Sequence, residues 1–164
     1  RLLVQNGALE SEQVRADVAS RLASRGVEPA RLECVGRTAS MDDHLDLYAR
    51  VDVALDTFPY HGTTTTCEAL WMGVPVVSRV GDVHAARVGL SLLTALGRPE
   101  WACADDDAFV RTAATLATDQ PALDALRRDL RPALRASPLC DGPGFARRFE
   151  AGLREIWRAT LSGR

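Results

Sequence analysis

VDVALDTFPYHGTTTTCEALWMGVPVV, residues 51–77, reads as strand, loop, helix and strand. Val51, Val53 and Leu55 make the apolar side of a short strand that ends at Asp56. Pro59 and Gly62 are turn formers and mark residues 57–62 as a loop. Residues 63–66, four threonines, open a helix carrying Ala69, Leu70 and Met72, and Thr65 and Glu68 stand at capping-box spacing. Gly73 stops that helix and Pro75 forbids its continuation. Val74, Val76 and Val77 then begin the next strand. Such a β-α-β unit aims a helix N-terminus at the carboxyl edge of a parallel sheet, the edge where open α/β sheets bind ligands.

Chemistry follows from that placement. The first turn of a helix has N–H groups without intrahelical partners and carries a partial positive charge. Thr63, Thr64 and Thr65, with Thr66, add hydroxyl donors, and Gly62 lets an anion approach the backbone. The result is a diphosphate site without a glycine-rich loop. Glu68, one turn further in, is within reach of a ribose hydroxyl, as an acidic residue is in dinucleotide folds. The run by itself also fits an ordinary threonine-capped helix, because any helix N-terminus satisfies the same physics.

On the amino-terminal side, residues 2–6 read as a strand broken by Asn6-Gly7. Residues 11–25 read as a helix with Val14, Val18 and Leu22 on one stripe, ended by Gly26. Residues 32–36 are a second strand. Residues 37–40 are a loop whose Ser40 caps a helix running to about Arg50, with Asp42 and Asp43 in its first turn. His44 lies one turn inside that helix, where a surface or core role competes with a ligand role. On the carboxyl-terminal side, residues 84–96 are helical, Trp101-Ala102 reads as a short last strand, and Asp105, Asp106 and Asp107 begin a helix reaching about Thr118. Pro121 fits the first turn of a further helix that Pro132 is expected to kink or restart. Residues 137–144 read as a loop. Residues 145–161 form a final helix with Phe145, Phe149, Leu153 and Trp157 on one stripe. Strands alternating with helices imply right-handed crossovers and a mostly parallel sheet. The expected architecture is one α/β, Rossmann-like domain over residues 1–164.

The chain has 164 residues, of which 46% are hydrophobic and 26% charged, and a formal net charge of −2. These values suit one soluble domain with a sizeable core and point away from nucleic-acid and membrane-surface partners. All 20 basic residues are arginine, so no lysine is present to hold a phosphate or form a covalent intermediate. The arginine- and alanine-rich composition suggests a bacterial source. Cys34, Cys67, Cys103 and Cys140 are widely separated and read as single buried thiols in a reducing cytosol, not as a zinc site. No apolar run approaches a membrane span. The chain begins without Met, on a strand, and is read as a fragment whose amino-terminal partner domain lies upstream. No catalytic base is recognised, and Asp56 reads as a loop or cap residue.

Residues 56–77, followed by HAARVGLSLLTALG at 84–97 and SPLCD at 137–141, resemble the carboxyl-terminal catalytic half of the O-linked N-acetylglucosamine transferase family. The resemblance covers nearly the whole chain. It implies the two-domain GT-B glycosyltransferase fold, of which this half binds the nucleotide sugar. It further implies that the backbone of Ala39 meets the uracil edge and that His44 contacts the nucleoside. Thr64 and Thr65 match the family's phosphate-binding pair, and Glu68 its ribose-binding acidic position. Animal members have histidine where this chain has Thr63 and aspartate where it has Glu68. His61 stands where relatives commonly have asparagine, either touching the sugar or exposed in its loop. The implied donor is UDP-GlcNAc, with no cofactor or metal, and the implied acceptor is a Ser or Thr hydroxyl on a protein. The final helix is expected to reach the missing domain, beyond which helical repeats of about 34 residues are expected. A GDP-fucose or UDP-glucose donor, and a non-catalytic Rossmann-like interaction module, remain open as alternatives.

Overall fold

The computed structural model describes residues 1–162. Contacts divide the chain at Val51 and Asp52 into two units, Arg1–Val51 and Asp52–Arg164.

In the first unit, strands β1 (Leu2–Gln5) and β2 (Leu32–Val35) pair in parallel, with Leu2 opposite Leu32 and Val4 opposite Cys34. The crossover between them is helix α1 (Glu12–Ala23). It ends where Gly26 takes a positive φ of 85°, a conformation that glycine adopts without steric cost. Val14, Val18 and Leu22 are each half-buried along one face. Helix α2 (Met41–Asp46) is capped by Ser40, whose Oγ accepts from the Asp43 N–H at 3.1 Å. It tightens into a 3-10 turn over Leu47–Arg50, short of the continuous helix expected from the sequence.

The second unit is built on three parallel strands in the order β3 (Ala54–Leu55), β4 (Val76–Arg79), β5 (Ala102–Cys103). β4 is central, and its Val76, Val77 and Ser78 are buried. Helix α3 (Thr64–Trp71) joins β3 to β4, and helix α4 (Val88–Ala95) joins β4 to β5. Helices α5 (Asp106–Thr118), α6 (Gln120–Ala136) and α7 (Gly142–Ser162) complete the unit. Leu70 of α3, Leu93 of α4, Leu123 and Leu130 of α6 and the β4 valines are the largest apolar groups sealed in the core.

Several boundaries differ from the sequence reading. β3 is two residues long, and Leu55 points outward, 49% exposed, while the Asp56 side chain that follows is buried. A pattern read from hydrophobicity picks the wrong face because the inward position at the end of the strand is a carboxylate. The short last strand is Ala102–Cys103, with Trp101 in the preceding 3-10 turn. α6 runs through Pro132 without restarting, with Leu130 and Leu134 buried on either side of it. α7 starts at Gly142, inside the expected loop, because Asp141 Oδ1 accepts from the Gly144 N–H at 2.9 Å and caps the first turn. Cys103 is buried, Cys34 and Cys67 are half-buried and Cys140 is exposed, so the thiols are free but not uniformly interior.

α3 and α6 lock together at one point. Gly73 ends α3 with φ 83°, and a Cβ there would lie 2.6 Å from the Arg127 carbonyl oxygen. Glycine is thus required both by the backbone and by the close approach of α6. Arg131 of α6 donates from Nε to the Trp71 carbonyl at 2.6 Å and lies over the Trp71 ring, so a cation meets the negative end of α3.

Candidate functional site

Helix α3 begins at the carboxyl edge of the three-stranded sheet. Thr63, Thr64 and Thr65 are exposed there, and Thr66 is buried. α3 starts at Thr64, so Thr65, expected as the cap residue of a capping box with Glu68, lies inside the helix. Thr63 is the N-cap, and it makes no side-chain capping bond. The entry is fixed from elsewhere. Thr66 Oγ1 donates to the Gly62 carbonyl at 3.0 Å, and the Gly62 N–H donates to Asp56 Oδ1 at 2.8 Å. Gly62 therefore spends its N–H inside the protein, and an anion at this helix meets the amides and hydroxyls of the threonines that follow. A Cβ on Gly62 would stand 2.4 Å from Thr65 Oγ1 and 3.0 Å from Thr66 Oγ1. Glycine is needed here so that the loop can fold flat against its own helix.

His61 is neither an exposed loop residue nor open to a sugar: it is 2% exposed. Its Nδ1 accepts from the Gly89 N–H at 3.0 Å, and its Nε2 lies 2.8 Å from the Arg79 carbonyl. A backbone N–H can only donate, so Nδ1 is the bare nitrogen and Nε2 carries the proton. Asp56 Oδ2 accepts from Ser78 Oγ at 2.7 Å, and this oxygen lies 3.4 Å from His61 Nδ1. Both oxygens of the buried Asp56 side chain thus accept hydrogen bonds inside the protein. Gly89 is equally constrained: a Cβ there would fall 2.1 Å from Ser78 Oγ and 2.8 Å from Asp56 Oδ2.

The loop over residues 57–60 carries two exposed aromatic rings, Phe58 and Tyr60. Arg79 lies over the Phe58 ring at 4.3 Å and is ion-paired through Nε to Asp106 at 2.5 Å, without a hydrogen bond from that nitrogen. Cys67, next along α3, has its thiol pushed up from the ordinary range, by burial first and then by Cys140 and Glu68. It is a poor nucleophile at neutral pH. His84 is exposed in a 3-10 turn, and Arg87 donates to the Gly81 carbonyl at 3.1 Å.

In the first unit, His44 is half-buried on α2, and its ring meets Tyr48 edge-on at 5.7 Å between centroids. Ala39 is exposed immediately before the Ser40 cap. Of the sequence-derived site residues, Gly62, Thr63, Thr64, Thr65 and Glu68 lie together at the start of α3, and Ala39 and His44 belong to the first unit. Sequence reasoning took Asp56 only as a loop or cap residue and passed over Ser78 and Gly89. Their signal was faint: a carboxylate ending a strand, a serine inside an apolar strand and a glycine in the first turn of a helix. Among the described residues, no cluster of His, Cys, Asp and Glu could hold a metal ion, and no helix is long and apolar enough to cross a membrane.

The site as built is a parallel α/β unit with a threonine-lined helix N-terminus at its carboxyl edge, the edge at which open α/β sheets bind ligands. Comparison with known proteins narrows it. Residues 11–149 match Glycosyl transferase family 41, and the chain belongs to that family. It is 42% identical over 163 residues to an Oryza sativa subsp. japonica protein named as a probable UDP-N-acetylglucosamine–peptide N-acetylglucosaminyltransferase SPINDLY, covering 99% of this chain and 18% of that protein. It is 32% identical over 139 residues to the Caenorhabditis elegans UDP-N-acetylglucosamine–peptide N-acetylglucosaminyltransferase, covering 85% of this chain and 12% of that one. A solved mutant of the Thermobaculum terrenum O-GlcNAc transferase superposes on 97% of this chain and 30% of its own, with a TM-score of 0.89 at 36% identity. The chain therefore spans under a fifth of the length of these curated relatives, and the α/β fold with parallel sheets is that of part of a GT-B catalytic region.

Proposed function

We propose that this chain is the donor-binding half of a protein O-glycosyltransferase that moves N-acetylglucosamine from UDP-GlcNAc to Ser or Thr of proteins. The observation that carries the reading is the start of α3. Three exposed threonines stand at a helix N-terminus on the carboxyl edge of a parallel sheet, in a chain of family 41. Hydroxyls and first-turn amides of Thr63, Thr64 and Thr65 hold the diphosphate and neutralise the charge that develops on it as the sugar leaves. No metal is required for that step, since fixed donors aimed at the leaving group supply the stabilisation. Glu68, a turn deeper, binds the ribose hydroxyls. His44 contacts the nucleoside and the backbone of Ala39 the uracil edge.

The acceptor and the catalytic base lie outside these residues in this reading, on an amino-terminal catalytic domain with helical repeats beyond it. The exposed apolar face of α7, with Phe145, Phe149, Leu153 and Trp157, packs against that domain. Four free thiols fit a reducing, cytoplasmic setting. The test is competition among nucleotide sugars for the purified chain. UDP-GlcNAc is expected to displace labelled UDP at lower concentration than UDP-glucose, and GDP-fucose to displace it least. Preference for GDP-fucose would change the donor, and binding of no nucleotide would make the chain a non-catalytic module.

A further inference from the structure

His61 joins two helix starts that the sequence places 24 residues apart, Thr64 and Val88. Its backbone N–H donates to the Ala85 carbonyl at 3.0 Å, so residue 61 is tied to the segment before α4 by main chain as well as ring. Its Nδ1 caps α4 by accepting from the Gly89 N–H, while Arg87, the local N-cap, makes no side-chain capping bond. Its Nε2–H reaches the Arg79 carbonyl at the end of β4. Two residues later comes Thr63, the N-cap of α3, and the intervening Gly62 is held by Asp56. The entry to α3 therefore has no independent freedom. Its position is set by bonds to β4 and to the first turn of α4.

We propose that His61 is a positioning residue for nucleotide binding: through Nδ1 and Gly89 it aligns the first turn of α3 so that its threonine donors converge on a diphosphate. This rests on the reading of α3 as the diphosphate site. A hydrogen-bond donor set gains affinity from being held in place before the ligand arrives. A side chain that fixes the set from behind thus affects binding without touching the ligand. A histidine serving only to fill the core would change stability and leave the affinity of the folded protein alone.

The two ring nitrogens can be tested separately. Asparagine offers an acceptor at the δ position and can keep the Gly89 bond. Glutamine reaches the ε position and can keep the Arg79 bond instead. UDP is titrated into the chain and into H61N, H61Q and H61A, with circular dichroism confirming the folded state at the assay temperature. H61N is expected to bind within about twofold of the parent, and H61Q and H61A about tenfold more weakly, the scale of one lost hydrogen bond. Folded variants that all bind like the parent, or equal losses for H61N and H61Q, would overturn the proposal. A second measurement needs no variant: the Gly89 amide of the parent chain is expected to be protected from hydrogen exchange before UDP is added. A Gly89 amide that exchanges freely in the UDP-free chain would equally overturn it. If the parent binds no nucleotide diphosphate, the site reading itself fails and this proposal with it, a result distinct from the other two.

Discussion

At the residue scale, the entry to α3 is bonded to groups that are buried, the side chains of His61 and Asp56. Replacing His61 by leucine would leave the buried Gly89 N–H without its partner, at about 1–3 kcal/mol, and remove the partner of the part-buried Arg79 carbonyl as well. H61L is therefore expected to lower the urea midpoint of unfolding clearly, and an unchanged midpoint would show that those groups find other partners. His44 is a different case, since in the proposed reading its ring meets the nucleoside. H44A is expected to weaken UDP binding and scarcely alter binding of inorganic pyrophosphate, read by calorimetric titration. Equal losses for both ligands would move His44 to the phosphate end. Glu33 gives a pH prediction. Its carboxyl is held below the ordinary range, first by the hydrogen bond from Arg50 and also by the charges of Arg50 and Arg1. A depressed carboxylate adds stability that is present above its unfolded value and is lost as pH falls through its folded one. Thermal unfolding between pH 6 and 3, values chosen to span about the carboxylate range, is expected to fall less steeply for E33Q than for the parent.

At the scale of elements, the α3–α6 contact is the most sharply defined. G73A would place a Cβ against the Arg127 carbonyl and force a non-glycine residue to a positive φ. Such overpacking costs about 1–3 kcal/mol, with backbone strain added, and denaturant unfolding reads the loss directly. A change below half of that would mean that α6 yields at this point. The order and type of these elements were legible in the sequence because punctuation and periodicity agree: Gly26, Gly73 and Gly97 all take positive φ at helix ends, where the sequence reading places stops. Three details were not legible, each for a physical reason. Leu55 points outward because the inward position beside it is taken by Asp56, and hydrophobic pattern has no means of registering a buried carboxylate. The Thr65–Glu68 spacing points to a cap at Thr65, but the helix starts at Thr64, where Thr66 bonds back to Gly62 and Gly62 to Asp56, and spacing alone does not register those bonds. α7 begins inside a Pro/Gly-rich stretch because Asp141 supplies a cap and Pro143 is tolerated in a first turn.

At the scale of the whole molecule, the account gives this chain one side of a reaction. Family membership rests on residues 11–149, and the fold on the superposition with an O-GlcNAc transferase. Holding donor and acceptor together can remove roughly 7–11 kcal/mol of a barrier, and a donor-binding half alone leaves the sugar in water. In the proposed reading, the purified chain is expected to transfer no labelled sugar to a Ser/Thr peptide pool unless the proposed amino-terminal catalytic domain is supplied with it. Robust transfer by the chain alone would show that it contains a complete active site. The Thr63–Thr66 run and the resemblance single out the start of α3 from sequence, whereas the Asp56–Ser78–His61 cluster behind it emerges only when the loop after β3 is brought against β4. The central claim is that the diphosphate binds at the start of α3, and it is tested most directly by titrating UDP into the isotopically labelled chain and following backbone amides. The account predicts shifts centred on Thr63, Thr64, Thr65 and Glu68, with T65V folded yet weakened by about 1.5–3 kcal/mol, the range for one hydrogen bond to a charged group. Shifts confined to residues away from α3, or UDP affinity unchanged in T65V, would contradict it.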